Sequence, residues 1–136
     1  MRARNIITSM LVLAGCGEPE VSDLTFAQVR EAAAAGDQAA FRDWFREVKG
    51  QHVAWSGQVV EVSNEHGDEF VELTMLTVDL DGASGGKLQG DAKFQISSGQ
   101  AEELQAGEDV TFRGRIDDFE WAAKRPLLRL DVKDLE

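Results

Sequence analysis

Two stretches of this chain, 57 residues apart, repeat one pattern of glycines and apolar residues, and that echo limits the folds open to it. Gly50, Val53, Trp55, Gly57, Val59 and Val62 align with Gly107, Val110, Phe112, Gly114, Ile116 and Phe119. In each copy a turn glycine admits a strand, alternate residues point to one side, and a mid-strand glycine marks a bulge or sharp bend. A barrel of few strands needs such bends, because its strands must tilt and coil to close. The echo is too short for a repeat protein, so it reads as two equivalent strands of one barrel.

The period-two pattern predicts three more strands. Glu69 to Leu80 carries Val71, Leu73, Leu76, Val78 and Leu80, with a change of phase between Met75 and Leu76 that fits either a bulge or burial on both faces. Asp91 to Ser97 alternates through Ala92, Phe94 and Ile96, and Leu127 to Leu135 sets Leu128, Leu130 and Val132 against Arg129 and Asp131. Ser97 and Gln100 have the spacing of a capping box and open a short helix carrying Ala101 and Leu104, which Gly107 ends. Gly82 to Gly90, with four glycines, reads as a connecting loop.

Ahead of the first strand the period is 3.6. Thr25 and Gln28 form another capping box, an Ala-rich run follows, and Gly36 ends it. Asp37 then caps a second helix whose Ala40, Phe41, Trp44, Phe45 and Val48 make one apolar face. The aromatic stripe Phe41, Trp44 and Phe45 is read as a packing face for a helical hairpin, not as a cofactor box.

Three strands, a short helix and two strands is the order of an OB-fold, a Greek-key barrel with its helix between strands three and four. The expected fold class is mainly β with α: a five-stranded OB-fold-like barrel (β-β-β-α-β-β) over residues 50–136, preceded by a short helical hairpin over 23–49. A helix ahead of a Gly-x-x-Val-x-x-x-Gly-x-Val strand, met here by Gly50, Val53, Gly57 and Val59, resembles the small OB-fold lipoproteins grouped with the tRNA_anti-like barrels. These are fold-forming glycines and core residues, so the resemblance implies architecture and no particular activity.

The single cysteine, Cys16, rules out an internal disulfide framework and a multi-cysteine zinc site. It follows a head with Arg2 and Arg4, an apolar stretch from Ile6 to Leu13, and the small pair Ala14-Gly15. That is the order of an export signal. Leu13-Ala14-Gly15-Cys16 resembles the lipobox of bacterial lipoproteins, which implies cleavage before Cys16, lipid on it, and attachment of the domain to a membrane of the cell envelope. Residues 1–15 are then the signal peptide and 16–22 a tether. A spanning helix would need about 20 apolar residues, and the chain turns polar at Glu18. A buried free cysteine in a cytosolic protein is the remaining alternative.

The whole chain has a formal charge of -11; without the first fifteen residues 12 Lys+Arg face 25 Asp+Glu, or -13. Such a field repels polyphosphate, so the expectation is no nucleic acid among the partners. It fits a basic partner, or simply solubility.

OB-folds bind through the face of strands two and three and the loops joining strands one to two and four to five. Those loops are read as Ser63 to Asp68, with Asn64 and His66, and Glu120 to Pro126, with Trp121, Lys124 and Arg125. Trp121 in a loop can stack on a planar or sugar ligand, anchor a protein, or fold over the barrel mouth. Lys124 and Arg125 read either as its cationic companions or as solvated charges.

Asp79-Leu80-Asp81-Gly82 begins like a calcium loop but lacks the later acidic ligands, and His52 and His66 have no zinc partners, so neither metal nor cofactor is expected. No nucleophile elbow or phosphate-cradling loop is present. The expected function is a non-enzymatic binding module for an envelope protein or a small ligand; the alternative is an acidic inhibitor or immunity-type protein that neutralises a basic envelope toxin or hydrolase.

Overall fold

The computed structural model describes residues 20–66, 72–81, 90–122 and 125–136. The readings made for the signal segment, Cys16, residues 82–89 and Lys124 lie outside the described residues. Two helices, α1 (Phe26–Ala34) and α2 (Gln38–Val48), precede β1 (His52–His66), β2 (Glu72–Asp79), β3 (Ala92–Gln95), α3 (Ser98–Glu102), β4 (Asp109–Ala122) and β5 (Arg125–Leu135). The strands close in the order β1-β2-β3-β5-β4, with β3 and β5 parallel and every other pair antiparallel. This is the expected five-stranded OB-like barrel with its helix between the third and fourth strands.

The caps are those the sequence indicates. Thr25 Oγ1 accepts from Gln28 N while Gln28 Oε1 accepts from Thr25 N, and Ser97 and Gln100 do the same for α3. Asp37 Oδ1 accepts from Ala40 N at 3.0 Å and starts α2. Helix α3 ends at Glu102, well before Gly107, which instead forms the turn into β4.

The 57-residue echo is a local two-fold. Gly50 and Gly107 both hold positive φ, at 91° and 90°, where an L side chain is strained. Gly50 N donates to Ile116 O and Gly107 N to Val59 O, each bond the image of the other. At the mid-strand pair the neighbouring strand leaves no room for a side chain. A Cβ on Gly57 would lie 2.4 Å from Asp79 O, and one on Gly114 2.9 Å from Asp131 O. Register shifts follow, between Val59 and Glu61 in β1 and at Gly114 and Asp118 in β4.

One core runs through the barrel and into the hairpin: Val53, Val59, Leu76, Val78, Phe94, Phe112, Ile116 and Leu128 are continuous with Phe26, Val29, Phe41 and Phe45. Phe41 is fully buried and touches Phe119 at 4.8 Å and Trp121 at 5.5 Å, ring centre to ring centre. The hairpin therefore plugs one end of the barrel. Trp55 fixes its other side, edge-on to Phe26 and donating from Nε1 to Leu24 O. The phase change in β2 is burial on both faces: Leu76 and Val78 face the core, while Met75 and Thr77 are buried on the opposite side.

Candidate functional site

Strand registers set Asp118, Arg129, Lys93, Thr77 and Glu61 side by side across β4, β5, β3, β2 and β1. Alternation puts them on the outside of the barrel, since Leu128, Leu130, Ala92, Phe94, Leu76 and Val78 take the inside. Glu65, from the end of β1, forms ion pairs with Lys93 and Arg129, and Glu120 of β4 joins Arg129 at 3.2 Å. Lys93 is mostly buried by this arrangement, with 17% of its side chain exposed. The hydrogen bond from Lys93 holds the Glu65 carboxyl below its ordinary range, with the charge of Arg129 adding to it. The result is a face of alternating sign, closed by its own ion pairs. A basic partner can compete for the two glutamates, and an anionic one for Lys93 and Arg129.

The residues chosen from the sequence fall partly elsewhere. Both assumed loops are largely strand: β1 continues to His66, paired with Glu72, and β4 continues through Trp121, paired with Pro126. Asn64 accepts from the Thr74 hydroxyl at 3.3 Å, and both Asn64 and His66 are exposed. Trp121 is half-buried against Phe41, so its ring belongs to the plug. The aromatic face of α2 needs a lid, and a strand three residues longer than expected supplies it. Arg125 opens β5 and pairs with Asp91. His52 is the first residue of β1. Sequence reasoning missed Glu65, Lys93 and Arg129; alternation marks them as outward, but only the register shows that they meet.

A second cluster lies at the seam between the hairpin and the barrel. Asp79, Asp81 and Asp91 bring one oxygen each within 4.8 Å of the others. Arg30 of α1 pairs with Asp81 at 3.1 Å, and Arg125 pairs with Asp91. Among the described residues, Arg30 and Arg125 bring positive charge to this cluster through ion pairs. Burial pushes the Asp91 carboxyl up to about 6, opposed by the hydrogen bond from Leu80 N and aided by Asp81 and Asp79. A pocket of about 150 Å³ opens beside it, walled by Phe26, Arg30, Ala33, Ala34, Asp91, Arg125 and Pro126.

Among the described residues no helix is long and apolar enough to cross a membrane. No family model matches the chain, and no curated protein matches it. Among solved structures it is similar to a "putative nucleic acid-binding lipoprotein" from Klebsiella pneumoniae subsp. pneumoniae MGH 78578, at 15% identity and a TM-score of 0.56. The match covers 98% of this chain and 100% of that one. It shows a shared fold, and it corrects one expectation: net charge does not remove nucleic acid from the candidate partners when a protein of this fold carries that description. The physical reason is local, because Lys93 and Arg129 stand together on one face whatever the sum over the molecule. The chain is thus an OB-like barrel with a helical plug, sharing its fold with a described lipoprotein.

Proposed function

We propose that this chain is a lipid-anchored, non-enzymatic interaction module of the bacterial envelope, tethered through Cys16 and engaging a basic protein through the outer face of β1, β3, β4 and β5. The observation that carries the reading is the Glu65–Lys93–Arg129–Glu120 network, a set of ion pairs that reaches strand three and the β1 and β4 ends beside the loops OB-folds use for ligands. The formal charge of -13 after signal removal steers a cationic partner toward such a face. Glu65 and Glu120 then exchange their internal cations for the partner's. A nucleic acid, the class of ligand named for the Klebsiella protein, would have to displace the same two glutamates from Lys93 and Arg129.

The test is a photo-crosslinking residue at Gln95, exposed on β3 beside the network, in the full chain in bacterial envelopes. A discrete crosslinked protein is expected, lost in Glu65→Gln with Glu120→Gln and kept in Glu102→Gln with Glu103→Gln at the C-terminal end of α3. A crosslink indifferent to the first pair contradicts the proposal. So does saturable, salt-sensitive binding of a single-stranded oligonucleotide that the first pair strengthens, which would assign the face to nucleic acid.

A further inference from the structure

The chain is fastened to the barrel before either helix begins. Val21 makes a parallel bridge with His52, the first residue of β1. Ser22 N donates to His52 O at 2.7 Å, and Ser22 Oγ donates to Gln51 Oε1. Leu24 N then donates to Ser22 Oγ at 3.0 Å, Leu24 O accepts from Trp55 Nε1, and the Leu24 side chain packs on the core. Residues 21–24 are therefore a strap along the start of β1, and Val21 and Ser22, within the stretch read as tether, are bonded to the domain.

Val21 follows Cys16 by five residues. Whatever conformation those residues take, a chain of that length spans at most about 18 Å. Val21, His52, Arg115 and Asp131 stand side by side on neighbouring segments, and Arg129 lies two residues back along β5 from Asp131. With strands about 4.8 Å apart and residues about 3.3 Å apart, the path over the sheet from Val21 to Arg129 is about 20 Å. From His52, β1 leads in the opposite direction. Val59 bonds through its backbone to Gly107 and Glu108, and it lies about 23 Å along the strand from His52. Arg129 is thus on the strap's side of the barrel, and the turn at Gly107 on the far side.

We propose that the strap makes the tether a short leash. The pole where β1 begins stays at the membrane, and the Glu65–Lys93–Arg129–Glu120 face engages a basic segment of a protein held in that same membrane. This holds only with lipid on Cys16 and that face as the binding site, as the proposed function has them. Arg129 then lies no farther than about 40 Å from the lipidated residue. A partner confined to the same membrane meets the face at an effective concentration set by that length, and a soluble protein elsewhere in the envelope gains nothing from it.

The test lengthens the leash and leaves the barrel unaltered. About twenty Gly and Ser residues inserted between Gly17 and Glu18 raise the reach from Cys16 to Val21 about fivefold, to about 90 Å. The yield of the Gln95 photo-crosslink in bacterial envelopes is then expected to fall about tenfold, because effective concentration falls roughly as the −3/2 power of tether length. A yield that is unchanged or greater, with palmitate label and membrane retention intact, overturns the leash and leaves the anchor standing. No label on the unaltered chain, or no crosslink from it, overturns instead the function on which the leash depends. Orientation is read without any partner, on the lipidated full chain in nanodiscs that carry a gadolinium-chelating lipid. Amide signals of Gln51 and His52 are expected to broaden severalfold more than those of Gly107 and Glu108, and the insertion is expected to level the difference. Equal broadening at the two places in the uninserted chain, or stronger broadening at Gly107, overturns the proposal.

Discussion

A methyl group at Gly57 would lie 2.4 Å from a backbone oxygen and 2.7 Å from Val78 Cγ1, inside the contact distance of any real side chain. Neither neighbour can withdraw without moving β2, so Gly57→Ala is expected to cost about 3 kcal/mol in chemical denaturation. Gly114→Ala meets Val132 Cγ2 at 2.7 Å and Asp131 O at 2.9 Å, a looser site, and is expected to cost about 1–2 kcal/mol. Gly50→Ala meets nothing within 4 Å and loses only the left-handed backbone conformation, about 1 kcal/mol. The ranking Gly57, Gly114, Gly50 is the checkable outcome. These glycines were legible in the sequence because glycine in a strand has few reasons to be there. The ionic residues were not. Nothing in the local pattern around Asp91 or Arg125 indicates that they pair, since the pairing depends on how β3 and β5 are threaded in parallel.

At the scale of elements, the helical hairpin is part of the barrel's core. Phe41 is enclosed by Trp44, Phe45, Phe119 and Trp121, and Phe41→Ala is expected to cost about 3–5 kcal/mol, a large share of the stability of a domain this size. For the same reason a chain beginning at Gly50 is expected to lose cooperative thermal unfolding, read by near-ultraviolet circular dichroism. Helix starts, helix order and strand order were legible, because capping residues and hydrophobic period act over a few residues. Strand ends were not: β1 and β4 run on through Ser63 to His66 and through Trp121, segments polar or mixed enough to read as loops. Pairing with β2 and β5 keeps them extended, and that partner lies outside any local window. Trp121 packs over Phe41, as in the barrel-mouth reading of its sequence, and the candidate face is built on Glu65, Lys93, Arg129 and Glu120.

Across the whole molecule, two titrations of opposite sign shape stability. Asp91, raised by burial, adds stability as pH falls from about 6 toward 4. Glu65, lowered by Lys93, contributes stability that is present above its ordinary value of 4.5 and is lost as pH falls through its folded value. A melting temperature that rises on mild acidification and drops below about pH 4 is the expected profile. Function at this scale depends on the address, since an acidic barrel fixed to a membrane surface meets partners that a free one does not. The most direct test of that address is metabolic labelling with a palmitate analogue in cells expressing the unaltered chain and Cys16→Ala, with intact-mass analysis of the membrane fraction. The account predicts label on a protein whose mass begins at Cys16, and neither label nor membrane retention in the variant. An unlabelled soluble protein that keeps Met1 would contradict it and leave the barrel without its tether.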